Sequence, residues 1–446
     1  MAELLIRGGT VVDAGGSRRA DVLAADGVVQ AVGDGLDVPS GATVLDADGC
    51  LVGPGLVDLH THLRQPGREE AETVETGARA AALGGYTAVV AMPNTEPAID
   101  CAAVARQVLD LGRHAAAEVA VAGAITVGRA GERLAPMAEL AALGVRLFTD
   151  DGAGVQDGGL MRRALDYAAG LRARGLPVVL AQHCEDGALA GGGCMHEGAW
   201  SSRLGLPGMP AAAEEVMVAR DIALSRLTGA PVHFLHLSTA GAVDLVRQAK
   251  ADGLAVTAEA APHHILLTDA LVGGYDPVFK VNPPLRTDDD VAAVKAGLVD
   301  GTIDAIATDH APHAPEMKDR PFDQAPPGML GLETALAIAL TELPLPPERI
   351  LALMSWQPAA IIGLGPAGAG DGGRPAGGFT VHGGPIAPGA DANLCVVDPT
   401  ATWQVDPDRL ASRSRNTPYA GRRLTGRVRH TVLRGEPVVI DGEAQR

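Results

Sequence analysis

Short apolar runs alternate with longer alanine-rich segments through the middle of the chain. Eight of these runs have the length and flanking turn residues of buried strands; they cover residues 56–60, 88–92, 119–124, 145–148, 178–181, 232–237, 254–258 and 303–307. The segments between them, such as 72–82, 160–174 and 212–227, are typical of helices. This alternation across residues 55–363 predicts an α/β fold, a (β/α)8 barrel of TIM type. A doubly wound open sheet is the alternative, although no Gly-x-Gly-x-x-Gly motif follows the first strand.

The two ends of the chain have a different pattern, with short β-type runs separated by Gly, Asp and Pro. Such runs lie in residues 4–13 and 20–32 and again in residues 392–398 and 428–436. Neither end alone makes a convincing sheet. We therefore predict one small composite domain, a β-sandwich of residues 1–54 plus 384–446. Residues 364–383, dense in Gly and Pro, are predicted to be a flexible insertion.

Composition narrows the classes of function. The net charge of −18 argues against a nucleic acid or an anionic membrane as partner. Five irregularly spaced cysteines argue against a disulfide framework and favour a cytoplasmic location. The first residues lack the pattern of a signal peptide, and we find no uninterrupted apolar run long enough to span a membrane.

Two histidines, His60 and His62, follow the first predicted strand. Because side chains in a strand alternate between two faces, both imidazoles point to the same side and can hold one metal ion. Arg64, two residues further on, could hold an anionic substrate beside it. A single His-x-His pair is weak support, so the other strand ends are the test.

The carboxyl ends of barrel strands carry the active sites of this architecture. In this chain those ends are rich in side chains that bind metals or substrates: Asn94 after the second strand, Asp150 and Asp151 after the fourth, His183 after the fifth, His236 after the sixth, His263 and His264 after the seventh, and Asp309, His310 and His313 after the eighth. Imidazoles and carboxylates together suit one or two Zn²⁺ ions. Asp309, at the end of the last strand, fits an acid–base role.

These motifs together resemble the amidohydrolase superfamily and, within it, the bacterial class I dihydroorotases. The matching segments run over nearly the whole chain: Val57-Asp58-Leu59-His60-Thr61-His62-Leu63-Arg64, Ala91-Met92-Pro93-Asn94-Thr95, Phe148-Thr149-Asp150-Asp151-Gly152, His183-Cys184-Glu185, His236-Leu237-Ser238-Thr239, Asn282-Pro283-Pro284-Leu285-Arg286 and Ala307-Thr308-Asp309-His310-Ala311-Pro312-His313. The resemblance implies a zinc-dependent cyclic amidohydrolase that closes N-carbamoyl-L-aspartate reversibly to L-dihydroorotate in pyrimidine biosynthesis.

The resemblance also implies a role for each matching residue. The first zinc ion would be bound by His60, His62 and Asp309, and the second by His183, His236 and a bridging Asp151. Asp309 would also be the catalytic acid and base. The substrate contacts would come from His62, Arg64, Asn94, Asn282, His313, Pro327 and Gly328. Arg64, Asn94 and His313 would hold the free carboxylate, and Asn282 the ring. The chain has Pro326-Pro327-Gly328 where the family often has Pro-Phe-Gly, so an aromatic contact is lost.

The resemblance also implies two kinds of assembly, a homodimer and a complex with an aspartate transcarbamoylase. A hydantoinase or allantoinase is the alternative enzyme, but it predicts a lysine at the fourth strand, where this chain has Asp150 and Asp151. A third alternative is an inactive homologue that scaffolds a transcarbamoylase, which should have lost metal ligands. Of the remaining histidines, we predict that His233, His263 and His264 are structural and that His114, His196, His382 and His430 are solvated.

Overall fold

The two ends of the chain meet in one layered β structure. The structure, a computed structural model, describes residues 3–368 and 377–446. Seven strands precede the central region: β1 (Glu3–Arg7), β2 (Thr10–Asp13), β3 (Gly16–Arg19), β4 (Asp21–Ala25), β5 (Val28–Gly33), β6 (Thr43–Asp46) and β7 (Leu51–Pro54).

The central region alternates strands and helices, as the hydrophobic pattern indicates. Its strands are β8 (Leu56–Thr61), β9 (Tyr86–Ala91), β10 (Glu118–Val121), β11 (Leu147–Phe148), β12 (Val179–Gln182), β13 (Met195–His196), β14 (Gly208–Met209), β15 (Val232–Phe234), β16 (Val256–Ala260) and β17 (Ala305–Ile306). Its helices are α1 (Val74–Leu83), α2 (Ala102–Leu111), α3 (Met137–Ala142), α4 (Gly158–Arg172), α5 (Gly187–Ala190), α6 (Ala199–Leu204), α7 (Ala212–Thr228), α8 (Ala240–Ala251), α9 (Pro262–Leu266), α10 (Asp288–Asp300), α11 (Pro315–Lys318), α12 (Ala335–Glu342), α13 (Pro347–Met354) and α14 (Trp356–Ile361). The chain ends with β18 (Leu394–Gln404), β19 (Arg423–Leu433), β20 (Glu436–Ile440) and β21 (Glu443–Ala444).

Eight parallel strands of the central region form a closed ring. Hydrogen bonds join β8, β9 and β10 in one sheet and β11, β12, β15, β16 and β17 in another. Parallel bridges between Gly123 and Phe148 and between Thr61 and His310 join the two sheets at both edges. Several strands are shorter than predicted; the sixth ends at Phe234 rather than at residue 237. The backbone leaves the regular strand where the candidate site residues begin.

Two further sheets contain the strands of the chain ends and share one buried apolar cluster. One contains β5, β4, β1 and β6, and the other runs β21-β20-β19-β18-β7-β2-β3. Strand β18 pairs with β7, so that Leu394 lies opposite Pro54 across 340 positions of sequence. Buried aliphatic side chains from both sheets, such as Ile6, Val22 and Val396, share one cluster. Each end of the chain therefore buries its apolar side chains against those of the other end.

One helical segment among the described residues, Pro347–Gly368, is long and apolar enough to span a membrane by length and composition alone. Most of it is buried inside the fold. Helices α13 and α14 meet at Ser355, whose hydroxyl donates to the carbonyl oxygens of Pro54 and Gly55. The segment belongs to the core of the protein, between the ring and the β structure.

Three of the histidines predicted to be solvated are buried, which corrects that prediction. His430 donates from Nε2 to the carbonyl of Asp46 and accepts at Nδ1 from the amide of Asp441. His382 contacts Glu118 at 2.9 Å, and His196 lies beside Arg286. These partners are remote in sequence, so the local sequence around each histidine does not indicate them. Only His114 is exposed as predicted.

The predicted flexible insertion at 364–383 also needs correction in its described part. Thr380 and His382 are buried and bind Glu118 at the start of β10. Arg434 of the β structure reaches the same carboxylate, with Nε 2.8 Å from Oε1. Residues 379–383 are therefore packed between the ring and the β structure. Residues 369–376 lie outside the described residues.

A half-buried carboxylate, Glu333, gives a stability prediction that depends on pH. Its Oε1 accepts the amide hydrogens of Ala411 and Ser412. Burial, with a contribution from the charge of Glu72, raises the pKa of Glu333 from 4.5 to about 7. The folded state thus binds this proton more tightly than the unfolded state, and the stability it confers is lost as pH rises from 4.5 through about 7.

We expect Glu333→Gln to raise the free energy of unfolding by about 1–3 kcal/mol at about pH 8.5, and to change it little at about pH 4. The amide oxygen keeps both hydrogen bonds while the half-buried charge is removed. Denaturant unfolding at the two pH values measures the difference, and exposed Glu316→Gln is the matched control. An equal gain at both pH values would show that ionisation of Glu333 is not the cause.

Candidate active site

The carboxyl ends of the ring strands bring the predicted metal ligands together. The amide of His62 donates to the carbonyl of His310 at 2.8 Å, which joins the end of β8 to the segment that follows β17. Asp58, fully buried on β8, accepts from the amide of Thr308 at 2.8 Å and from the hydroxyl of Thr61 at 2.6 Å. These bonds fix the position of Asp309, the next residue after Thr308.

One group of candidate ligands consists of His60, His62 and Asp309. Asp309 Oδ1 lies 3.5 Å from His60 Nε2 and 3.1 Å from His62 Nε2. Three donor atoms of these residues lie within 4.8 Å of one another, and all three residues are buried. Burial opposes ionisation of Asp309, but the neighbouring His60 and His62 imidazoles outweigh it and lower its pKa. This group can hold one cation.

A second group surrounds Asp151. Its Oδ1 lies 3.4 Å from His60 Nε2, 3.4 Å from His183 Nδ1 and 3.6 Å from His236 Nε2. His183 Nδ1 and His236 Nε2 are themselves 3.0 Å apart. Asp151 Oδ2 lies 3.6 Å from His62 Nε2, so this carboxylate stands between the two pairs of histidines.

The adjacent carboxylate, Asp150, faces away from this cluster. It accepts from the amides of Ile125 and Thr126 at 2.9 and 3.0 Å and also binds the Thr126 hydroxyl. Neighbouring side chains diverge in extended backbone, and here the divergence leaves Asp151 alone among the imidazoles.

The donor set fits a metal ion. His60 Nε2 is buried and has no hydrogen-bond partner, although two carboxylates lie about it. A buried nitrogen without a partner is costly unless something else meets its lone pair. Four imidazoles and two carboxylates are ligands that zinc accepts.

Arg64 and His313 form a basic pocket beside the first group of ligands. Burial, together with the charge of Arg64, lowers the pKa of His313 to about 2, so that its imidazole is neutral. His313 donates from Nε2 to the carbonyl of Pro327 at 2.8 Å. Arg64 donates from Nε to the carbonyl of Pro312, and its Nη2 lies 3.4 Å from the same His313 nitrogen, whose proton is already bound by Pro327. The remaining N–H groups of the Arg64 guanidinium fit an incoming carboxylate.

Asn94 contacts one part of the cluster and Asn282 the other. Its Oδ1 lies 2.9 Å from His62 Nδ1 and accepts that proton, which leaves the amide NH₂ for another partner. Asn282 donates from Nδ2 to Glu185 at 2.6 Å and lies 3.3 Å from His183. Its Oδ1 is buried without a hydrogen-bond partner. Both amides therefore border the histidines and retain a free polar group.

The loop that carries Pro327 and Gly328 is already held by hydrogen bonds to other segments of the protein. The amide of Gly328 already donates to Lys280 O at 2.9 Å, and its carbonyl accepts from Asn416. The Gly328 N–H is therefore not available to a substrate ring. The backbone of this loop can therefore bind a substrate only through the free lone pairs of the Pro327 and Gly328 carbonyl oxygens.

Three site residues adopt backbone conformations that side chains usually avoid. The φ angles are +62° at Arg64, +30° at His236 and +46° at Asp309. Non-glycine residues with positive φ cost free energy, and they concentrate at functional sites where the surrounding structure enforces them. Here the strain accompanies the change from regular strand to the loops that hold the ligands.

Several residues of the site were missed by sequence reasoning. Glu259 lies 2.8 Å from His60 Nδ1 and 3.0 Å from His233 Nε2. Asn416 accepts from the amide of His313, and Glu185 lies 3.3 Å from His183 Nε2. The sequence does contain an indication for Glu259. It is a charged residue at the end of an apolar run, and such a residue needs a buried partner. Asn416, in a loop distant in sequence, gave no signal.

The other histidines near the strand ends are also buried. His263 Nε2 faces Asp309 across 3.9 Å, and His264 donates from Nε2 to the carbonyl of Pro283. His310 lies 3.4 Å from Glu72 and accepts from the amide of Gly331. Their contacts place them around the cluster of candidate ligands rather than in it.

Comparison with known proteins gives three results. Residues 49–242 match a family model described as dihydro-orotase-like. The chain is 50% identical to a dihydroorotase from Pelotomaculum thermopropionicum over 98% of this chain and 99% of that protein. It is 49% identical to one from Streptomyces coelicolor over 99% of this chain and all of that protein. Among solved structures, an L-hydantoinase (dihydropyrimidinase) from Arthrobacter aurescens superposes with a TM-score of 0.82 at 24% identity, over 100% of this chain and 98% of that one.

Proposed function

The chain belongs to the dihydroorotase family of amidohydrolases, and on that premise we propose that it closes N-carbamoyl-L-aspartate reversibly to L-dihydroorotate in pyrimidine biosynthesis. The observation that carries the proposal is the position of Arg64. This buried cationic side chain contacts His313 and lies beside a cluster of buried candidate metal ligands. A substrate with a cyclic amide and a free carboxylate matches both features.

Zinc is the metal that we propose for the cluster, as one or two ions per subunit. His60, His62 and Asp309 would hold one ion, and Asp151, His183 and His236 a second. When bound, zinc acidifies a water molecule and polarises a carbonyl group.

Asp309 is the proposed proton carrier. Ring opening breaks the bond between the amide nitrogen and the acyl carbon, and a proton must pass from the attacking water to that nitrogen. A carboxylate at the strand end can accept the first proton and return it, because it is ionised in the folded protein. In the reverse direction the same carboxylate takes a proton from the carbamoyl nitrogen as the ring closes and water is lost.

The substrate's carboxylate would be held by Arg64, Asn94 and His313. Arg64 keeps its charge at neutral pH, because burial and the charge of Arg68 lower its pKa only to about 10. His62, the hydrogen-bond partner of Asn94, would contact the substrate as well. Asn282, Pro327 and Gly328 would border the ring.

A catalytic barrel of residues 55–363 and a β-sandwich of residues 1–54 plus 384–446 are the domains we propose. We further propose a cytoplasmic location and a homodimer or a complex with an aspartate transcarbamoylase. A hydantoinase is disfavoured, because Asp151 stands where that class has a lysine and because its substrates need no carboxylate pocket. An inactive scaffold is disfavoured because all six ligands are kept.

Turnover of L-dihydroorotate, followed by the loss of its ultraviolet absorbance on protein of known zinc content, tests the proposal. We expect turnover of dihydroorotate and much weaker turnover of 5,6-dihydrouracil, which lacks the carboxylate. No turnover by the zinc-loaded protein, either alone or with its transcarbamoylase, would overturn the proposed function. Faster turnover of dihydrouracil would favour the hydantoinase alternative.

A further inference from the structure

Two ionisable side chains, Glu259 and His233, fill the ring interior next to the candidate ligand His60. They lie on the neighbouring strands β16 and β15, where His233 is paired with Thr257. All atoms of His60, His233 and Glu259 are screened from solvent, with each residue 0% exposed. Barrel interiors are ordinarily filled by branched apolar side chains, and a buried carboxylate is costly unless it is paired. The position of this pair therefore calls for a specific reason.

One line of hydrogen bonds runs from Thr257 to His60. The Thr257 hydroxyl lies 2.8 Å from His233 Nδ1, and His233 Nε2 lies 3.0 Å from Glu259 Oε2. Glu259 Oε1 lies 2.8 Å from His60 Nδ1. The arrangement is satisfied when Thr257 donates to His233 and both imidazoles donate to Glu259.

This arrangement leaves a single tautomer for His60. With its proton on Nδ1, the lone pair of Nε2 points toward Asp151 and Asp309, 3.4 and 3.5 Å away. The same nitrogen is buried and has no hydrogen-bond partner of its own. A histidine that binds a metal needs its lone pair free on the metal side and its other nitrogen held by an acceptor.

We propose that Glu259, braced by His233, is a positioning residue that orients His60 for metal binding; the inference rests on the proposed function. Two other candidate ligands have weaker supports: the neutral amide of Asn94 for His62 and the partly exposed Glu185 for His183. Glu259 is both charged and fully buried, so its hydrogen bond is the least screened of the three.

The test is the zinc affinity of the full-length Glu259→Gln variant, measured by competition with a chromophoric chelator. Glutamine keeps the size of the side chain and removes its charge. We expect affinity to fall by about 10- to 100-fold, the usual effect of losing such a support. Should that variant not fold, Glu259→Asp keeps the charge but withdraws it from His60, and affinity should fall in the same direction.

Glu118→Gln is the matched control, because Glu118 also pairs with a buried histidine, His382, at the amino end of β10 and far from the ligands. A purely structural effect would lower Tm in both variants and spare zinc affinity in both. Wild-type zinc affinity in Glu259→Gln would overturn the inference. Wild-type protein that binds zinc but does not open dihydroorotate would contradict the proposed function, and the comparison of affinities would still decide the role of Glu259.

Discussion

Asp309→Asn is expected to lower kcat for dihydroorotate by about 10²- to 10⁴-fold, the range in which a positioned acid–base group contributes. Asparagine has the same shape but neither accepts the proton nor carries the charge that faces His60 and His62 at 3.5 and 3.1 Å. The zinc content of the same sample separates the two roles of Asp309. If the Asp309 carboxylate transfers the proton, the turnover per bound zinc ion is lower in Asp309→Asn than in the wild type.

Asp304→Asn is the matched control for this prediction. Asp304 comes just before β17, at the opposite end of the same strand, where it binds Lys250 Nζ at 2.7 Å and the amide of Ala258 at 2.8 Å. Turnover should stay within about twofold of wild type, since the site is untouched. An Asp309→Asn protein that keeps its zinc and more than about a tenth of wild-type kcat would assign proton transfer to another group.

Arg64→Met is expected to lower kcat/KM for dihydroorotate by about 30- to 5,000-fold, mainly through KM. Removing one partner of a buried charged hydrogen bond costs about 2–5 kcal/mol. Methionine retains most of the aliphatic bulk but leaves the substrate carboxylate facing neutral His313 and the amide of Asn94. Zinc content should not change, because Arg64 contacts the carbonyl of Pro312 and His313 rather than a proposed ligand.

Steady-state kinetics with two substrates checks this prediction. The preference for dihydroorotate over dihydrouracil should shrink in Arg64→Met, because only the first carries the group that Arg64 binds. Arg68→Met is the control: Arg68 is four residues away, half exposed and paired with Glu96. An unchanged preference, or loss of zinc together with activity, would show that Arg64 does not grip the carboxylate.

The predicted positions of the candidate metal ligands depended on short-range rules. Side chains alternate in a strand, so His60 and His62 share a face, and the carboxyl ends of parallel strands meet at one end of a ring. Those rules need only residue order and strand ends. Even where strands were shorter than expected, as at Phe234, the residues beyond them still reach the same end.

The local pattern was not enough to decide which of two neighbouring carboxylates is the candidate ligand. Residue order alone left Asp150 and Asp151 open, and the family pattern favoured Asp151. The structure shows what separates them: Asp150 binds backbone amides of Ile125 and Thr126, while Asp151 faces the imidazoles. That difference depends on which loop packs against the fourth strand.

Local periodicity along the chain predicted the alternation of strands and helices and the histidines and carboxylates that follow the strands. The remote partners of these and other histidines are visible only in the folded structure: Glu259 binds His60, Asn416 binds the amide of His313, and Glu118 binds His382. Hydrogen bonds between remote residues depend on strand register and on the burial of each group, and neither quantity is encoded in the spacing along the chain.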